Sequence, residues 1–156
     1  SATACYSVLG GTIYLWKMWT VRLTFPDFIR SYISFLKSNQ HTMQSRCYFE
    51  PKASGISIVQ QLRNESIDGS RINLIEDEPP KDSKITRTMA ILPMIESGGI
   101  KLLDSENWDS LLTECAMFPN GEHDDQVDVI SAICRLSQEN QSFKFVSNYW
   151  FMLTYR

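Results

Sequence analysis

Strand-length runs rich in β-branched and aromatic residues alternate with amphipathic helical segments along this chain of 156 residues. Two such runs fill residues 6–21, and the Gly-Gly pair at 10–11 between them is typical of a tight turn between antiparallel strands. Apolar residues then recur at helical spacing from Phe25 onward, with Pro26 and Asp27 in the first turn. A hairpin followed by alternating strands and helices predicts one α/β domain with a mixed β-sheet flanked by helices.

The later elements are predicted from the same periodicities. We expect strands at residues 46–50, 71–75 and 100–103. We expect helices at residues 53–63, 82–97 and 108–115 and from about 124 onward. Pro93 is expected to kink or shorten its helix, and Asp104 or Ser105 to cap the helix after it. The last helix carries apolar residues on two sides and is expected to be buried on both. The aromatic tail after it fits a strand or a helix.

Composition excludes several classes of protein. The net charge of −3 argues mildly against a nucleic-acid-binding domain, which is usually basic. The four cysteines (Cys5, Cys47, Cys115 and Cys134) form no C-x-x-C pair, so neither a zinc site nor a disulfide framework is indicated, and reduced thiols in a cytosolic setting fit best. The sequence has no membrane-length apolar run and no phosphate-binding loop of the ATPase type.

The segment "PNGEHDDQVDV" concentrates four carboxylates between Glu122 and Asp128, where the last helix begins. Asp124, Asp125 and Asp128 would lie together on its first turn. One interpretation is a helix cap, because each acid near a helix N-terminus gains about 0.3–1 kcal/mol from the helix dipole. The other is a divalent-cation site, since Mg²⁺ prefers carboxylate, water and phosphate oxygens. The dipole accounts for one carboxylate but not for three.

Glu50 and His123 are further candidates, each with a simpler alternative. Glu50 ends a predicted strand and precedes Pro51, so it could project over the sheet edge where sites of α/β proteins form, or it could be an ordinary surface charge. His123 lies beside the aspartates, but a lone histidine there is also a plausible capping or solvated residue.

Three blocks, in this order and spacing, resemble the nuclease domain of the large terminase subunit of tailed bacteriophages: "FEPKASG" (49–55), "KITRTMAILPMIESGGIKLL" (84–103) and "LLTECAMFPNGEHDDQVDVISAI" (111–133). The "FPNGEHDDQVD" block is the most specific of them. The resemblance extends over about residues 5–136 and implies an RNase H-like fold. It divides the chain into an N-terminally truncated nuclease domain, residues 1–140, and an aromatic-rich tail, residues 141–156.

The resemblance also implies an activity, which is the cutting of double-stranded DNA during genome packaging with two Mg²⁺ or Mn²⁺ ions. By motif, Glu50 matches the family's second catalytic acid and Asp125 the third. Asp124 and His123 match catalytic neighbours, and Asp128 is a supporting metal ligand. The carboxylates would bind the metals, and two ions about 3.5–4 Å apart would activate a water and stabilise the leaving oxygen. His123 could position or deprotonate that water.

Lys52 and Arg87 match positions that are regularly basic in the family, so they are predicted to contact DNA phosphate or the acids, with ordinary surface cations as the alternative. The implied partners are double-stranded DNA, an ATPase domain of the full-length terminase, the small terminase subunit and the portal protein. The implied location is the cytoplasm of a bacterial host, away from membranes.

One departure from the family pattern is serious. The family's first acid belongs to an opening strand, yet no Asp or Glu precedes Asp27, and Cys5 stands where relatives commonly have an Asp before "Y-S". The acid is therefore either encoded upstream of Ser1 or lost, and the chain is expected to bind metal poorly and to cut slowly or not at all. The alternatives are an inactive domain of a decayed prophage, acting in assembly or binding, and another RNase H-like nuclease such as a resolvase or transposase.

Overall fold

The structure, a computed structural model, describes residues 1–39, 42, 44–50, 54–78, 81–139 and 148–153, with the backbone alone for 54–56 and 148–153. In chain order the described residues form β1 (Ala2–Leu9), β2 (Thr12–Thr20), α1 (Phe25–Ser38), β3 (Arg46–Phe49), α2 (Ser54–Leu62), β4 (Ser66–Ile67), β5 (Ser70–Arg71), β6 (Leu74–Glu76), α3 (Lys84–Glu96), β7 (Ile100–Leu102), α4 (Asp109–Met117), α5 (Asp125–Glu139) and β8 (Asn148–Leu153).

Six strands form one mixed sheet in the order β6-β3-β8-β1-β2-β7. Strand β1 is antiparallel to both of its neighbours, β2 and β8, whereas β3 is parallel to β6 and β8, and β2 is parallel to β7. The predicted mixed sheet with flanking helices is therefore confirmed.

The predicted hairpin is β1–β2. Its turn residues Gly10 and Gly11 have φ values of 58° and 81°, a region that side chains with a Cβ rarely adopt, so glycine is required there. Pairing runs from Leu9 with Thr12 to Ala2 with Thr20, and β1 thus begins earlier than the sequence pattern indicated.

Helices cover both faces of the sheet. Alternate residues of β1 and β3 point to opposite sides: Ala4 and Tyr48 pack with α3, α4 and α5, whereas Cys5 and Cys47 pack with α1 and α2. On the α1 side, Trp19 of β2 stacks on Phe35 with ring centroids 5.0 Å apart. Because both faces are covered, the first half of β1 is buried on consecutive residues instead of alternating.

The strand predicted at residues 71–75 is wrong as one element. Asp68 and Gly69 adopt φ values of 50° and 80°, the conformation of a two-residue hairpin turn, and β5 therefore pairs back on β4. The chain then leaves this small ribbon and joins the main sheet as β6, where Leu74 pairs with Cys47.

The predicted cap of α4 is also wrong. The helix begins at Asp109, so neither Asp104 nor Ser105 lies at its N-terminus. Instead, the side-chain oxygen of Asn107 accepts a hydrogen bond from the Asp109 N–H at 2.8 Å. Trp108 precedes the helix and is anchored separately, because its indole N–H donates to the Leu103 carbonyl at 2.8 Å.

Pro93 does not end α3, which continues to Glu96. An N–H at position 93 would donate a hydrogen bond to the Met89 carbonyl, and proline has none. Because Met89 is exposed, water can donate that hydrogen bond instead. The N-terminus is well defined, because the Ser83 hydroxyl accepts a hydrogen bond from the Thr86 N–H at 3.1 Å.

The aromatic tail, which the sequence left open, provides a central strand. In β8, Leu153 pairs with Ala2 of β1 and Met152 pairs with Phe49 of β3. Helix α5 packs against this part of the sheet, and the prediction that it is buried on two sides is confirmed, since nearly every residue of Gln126–Ser137 is buried.

Candidate functional site

One edge of the sheet collects the candidate carboxylates. Strand β3 ends at this edge with Phe49, followed by Glu50, and β1 begins there with Ala2. The register proves the alignment, since both strands pair with the last residues of β8, Phe49 with Met152 and Ala2 with Leu153.

Helix α5 spans the same edge on the side opposite α1. At its first turn Asp125 Oδ2 lies 3.2 Å from the Ser1 nitrogen, and near its end Arg135 contacts the Asp77 carboxylate. Asp77 follows β6, and its N–H donates to the Phe49 carbonyl at 2.7 Å. Ten helical residues span about 15 Å, and the three strand spacings from β1 to β6 span about 14 Å, so α5 runs across the strand ends.

Glu50 is buried near Asp77, with only 1% of its surface exposed. It lies close enough to Asp77 to affect its titration. Burial raises the pKa of Asp77, Arg135 opposes that rise, and the negative charges of Glu139 and Glu50 add to it. Glu50 is therefore a carboxylate inside the protein and not the surface charge that was its simpler alternative.

Glu50 and Asp125 share the edge, but β3, which Glu50 follows, lies two strand positions, roughly 10 Å, from β1, whose start lies beside Asp125. Two Mg²⁺ ions about 4 Å apart, each about 2 Å from its ligand oxygens, need outer ligands roughly 8 Å apart, and two carboxylate side chains can close to that span. A metal pair shared by Glu50 and Asp125 would therefore require both side chains to extend toward each other. Across the part of the chain that the structure describes, no group of three or more His, Cys, Asp or Glu side chains could hold a metal ion.

The strand between them supplies no acid. Residues 148–153 read "NYWFML" and contain neither Asp nor Glu. Cys5, which stands at the position of the expected family Asp, is buried on the α1 side, facing away from α5, and burial raises its pKa well above the ordinary value. The middle of the candidate site therefore lacks a carboxylate among these residues.

Asp124 and Asp128 are held by cations of α3. Lys84 Nζ lies 2.7 Å from Asp124 Oδ2 and 2.5 Å from Asp128 Oδ2, and Arg87 Nη2 lies 3.6 Å from Asp128 Oδ1. Burial raises the pKa of Asp128, which is fully buried, and Lys84 and Arg87 oppose that rise. The interactions with both aspartates outweigh burial and raise the pKa of Lys84. Arg87 thus contacts an acid, and Lys52 lies outside the described residues.

The N-terminus of α5 is capped from a distance. Glu114 of α4 accepts hydrogen bonds from the N–H groups of Gln126 and Val127, at 2.6 and 3.1 Å, and from the Gln126 side chain at 2.8 Å. Asp124 and Asp125 therefore do not cap the N–H groups of Gln126 and Val127, because Glu114 of α4 accepts both hydrogen bonds. Their carboxylates instead contact Lys84 and the Ser1 nitrogen, respectively.

His123 and Arg22 form the outer wall of the site. Arg22 follows β2, and its Nη2 lies 2.9 Å from His123 Nε2 and 3.3 Å from Nδ1. Two adjoining cavities, of about 260 and 690 Å³, share Ser1, Val21 and Asp125 with this pair as lining residues. An open groove therefore runs along the sheet edge beside Asp125.

Three residues of this site were not predicted. Arg22, Lys84 and Glu114 act through contacts with residues 12 to 101 positions away, and no local pattern marks them. Lys84 lies within the "KITR" block that resembles the family, which was the one available signal.

Comparison with known proteins gives one finding. A family model described as a terminase RNaseH-like domain matches residues 23–135, which is more than half of the chain. No curated protein and no solved structure matches. Among the described residues, no helix combines the length and apolar character that crossing a membrane requires. The chain belongs to the terminase RNase H-like domain family.

Proposed function

We propose that this domain is a metal-dependent endonuclease that cuts double-stranded DNA during viral genome packaging. The observation that carries the proposal is the placement of Glu50 and Asp125. Glu50 is buried directly after β3, Asp125 is half-exposed beside Ser1 at the start of β1, and Asp125 lines an open groove at this edge of the sheet. Such a placement is suited to holding cations against a phosphodiester that lies in the groove.

The residues have separate roles in this proposal. Glu50 and Asp125 would hold Mg²⁺ or Mn²⁺, which when bound supplies Lewis acidity and lowers the pKa of a bound water. Asp124 and Asp128, the catalytic and metal-binding candidates from the sequence, are assigned to the anchor between α5 and α3, since Lys84 bridges both and Arg87 also faces Asp128. His123 lies on the groove wall, where its ring can orient a water through a hydrogen bond.

The proposed substrate and partners follow from the family, which points to DNA and the packaging machinery in general. We propose double-stranded DNA as the substrate, the terminase ATPase domain, small subunit and portal protein as partners, and the bacterial cytoplasm as the location. The net charge of −3 predicts weak, salt-sensitive DNA affinity for the domain alone, so partners would have to present the DNA.

A second candidate is a non-catalytic domain that acts in assembly or binding. It is favoured by two observations: β8, between β1 and β3, carries no carboxylate, and Lys84 and Arg87 pair with Asp124 and Asp128. These two cations can balance the two carboxylates without a metal.

Nicking of supercoiled plasmid in Mn²⁺ distinguishes the two candidates. We expect slow nicking by the native protein and a loss of about 100-fold in Glu50→Gln and in Asp125→Asn, because each removes a metal ligand. Asp109→Asn, which neutralises an exposed acid of α4, is the matched control and should nick at the native rate. Unchanged nicking in either site variant would refute the assignment. Absence of nicking by the native protein would favour the non-catalytic domain.

A further inference from the structure

We propose that Arg22 is the phosphate-binding residue of the groove, and that it exchanges His123 for a phosphate of the bound nucleic acid. The inference rests on the proposed function for the identity of the substrate. It assigns a role to a residue that lies outside the matched family region, 23–135.

The contact between Arg22 and His123 occupies the imidazole edge that faces the groove. An arginine is always protonated and has only donors, so the ring nitrogen that receives it must carry a lone pair. The shorter distance, 2.9 Å, is to Nε2. In the tautomer with its proton on Nδ1, the nearer nitrogen Nε2 would accept the hydrogen bond from Arg22. While the contact lasts, Nε2 is unavailable to a water.

Arg22 is also the cation that a phosphate would meet. It lines both cavities beside Asp125, and it is the only arginine or lysine among the described residues that line them. The remaining charged side chains of these walls are acidic: Glu114, Glu122, Asp124 and Asp125. Lys84 pairs with Asp124 and the Ser1 nitrogen with Asp125, so Glu114 and Glu122 remain to repel an approaching phosphate, and Arg22 is placed to offset that repulsion.

The exchange is favourable on chemical grounds. A guanidinium binds phosphate through two parallel, charge-assisted hydrogen bonds, which are about twice as strong as bonds between neutral groups. Its bond to the neutral ring of His123 is weaker, and both side chains are exposed, so breaking it leaves no buried group without a partner. Binding of nucleic acid would thus free Nε2 of His123 to accept a hydrogen bond from water. The histidine becomes available when a phosphate is in place.

Binding of a short duplex, followed by fluorescence anisotropy in EDTA over a salt series, tests the role of Arg22 without requiring cleavage. We expect Arg22→Gln to weaken binding by about 5- to 10-fold and to reduce the salt slope by about 1, the loss of one phosphate contact. Arg30→Gln is the matched control, because it removes the same charge from an exposed position on α1 and should leave both values unchanged. Arg22→Lys should keep the native salt slope.

The outcomes separate this inference from the proposed function. Equal binding by the Arg22→Gln and Arg30→Gln variants would overturn the role of Arg22, whatever the result of the nicking assay. Loss of nicking in every condition, with binding still dependent on Arg22, would overturn the nuclease and leave the phosphate contact standing. A native protein that does not bind duplex at all would overturn both.

Nitrogen NMR of the His123 ring at one fixed pH tests the exchange itself. In the free native protein we expect the proton on Nδ1, and in Arg22→Gln a shift toward the Nε2–H form. Duplex added to the native protein should change the ring signals in the same way. Ring signals that stay constant when duplex binds would contradict the exchange, even if Arg22 contributes to affinity.

Discussion

The capping of α5 by Glu114 can be tested by removing the carboxylate. In Glu114→Ala, the N–H groups of Gln126 and Val127 lose an acceptor at 2.6 and 3.1 Å. Loss of a helix cap costs about 0.5–2 kcal/mol, and loss of a negative charge at a helix N-terminus costs about 0.3–1 kcal/mol more. Water from the adjoining groove can replace part of this, so we expect a decrease of about 2 kcal/mol in the free energy of unfolding.

Urea unfolding followed by circular dichroism measures this decrease. For a chain of this length, 2 kcal/mol corresponds to a melting temperature lower by about 4–8 °C. Glu114→Gln keeps one acceptor oxygen and should lose about half as much, and Glu96→Ala, an exposed acid at the end of α3, is the control. Hydrogen exchange should also accelerate at the amides of Gln126 and Val127. A Glu114→Ala variant as stable as the control would refute the assignment of the cap to α4.

Two further predictions concern titratable groups. Cys115 is exposed and the other three cysteines are buried, and burial raises the pKa of Cys47 to about 12. A thiol reagent should therefore modify one cysteine in the native protein and four in denaturant. Cys115→Ser should abolish the native reaction. Burial raises the pKa of Asp128 although Lys84 opposes it, so the carboxyl stabilises the fold below its unfolded pKa of about 3.9, and this contribution is lost as pH rises through the folded pKa. In EDTA, the stability of the native protein relative to Asp128→Asn should therefore fall as the pH rises above about 4, and an increase would contradict the burial argument.

The elements of the fold that depend on local chemistry were predictable. The Gly-Gly turn, the helix that begins at Phe25 and the doubly buried last helix follow from glycine geometry and apolar periodicity, which operate within a few residues. The position of β8 was not predictable, because its pairing with β1 and β3 joins segments about a hundred residues or more apart.

The same division holds in the site. Glu50 and Asp125 could be selected because one ends a strand and the other begins a helix, and such ends meet at sheet edges. The residues that contact the acidic segment from other elements could not be selected. Local reasoning explained the segment by helix capping or metal binding. In the structure, Lys84, Arg87 and Arg22 contact the segment, and Glu114 of α4 caps the helix.

The central claim is that Glu50 and Asp125 serve one shared metal site. A Mn²⁺ titration followed by the electron paramagnetic resonance signal of the free ion tests it in the native protein, in Glu50→Gln, in Asp125→Asn and in the double variant. We expect each single variant to weaken binding by at least about 10-fold, and the double variant to bind no more weakly than the weaker single, since residues that share a site are not additive. Native affinity in either single variant, or losses that add in the double variant, would contradict the claim.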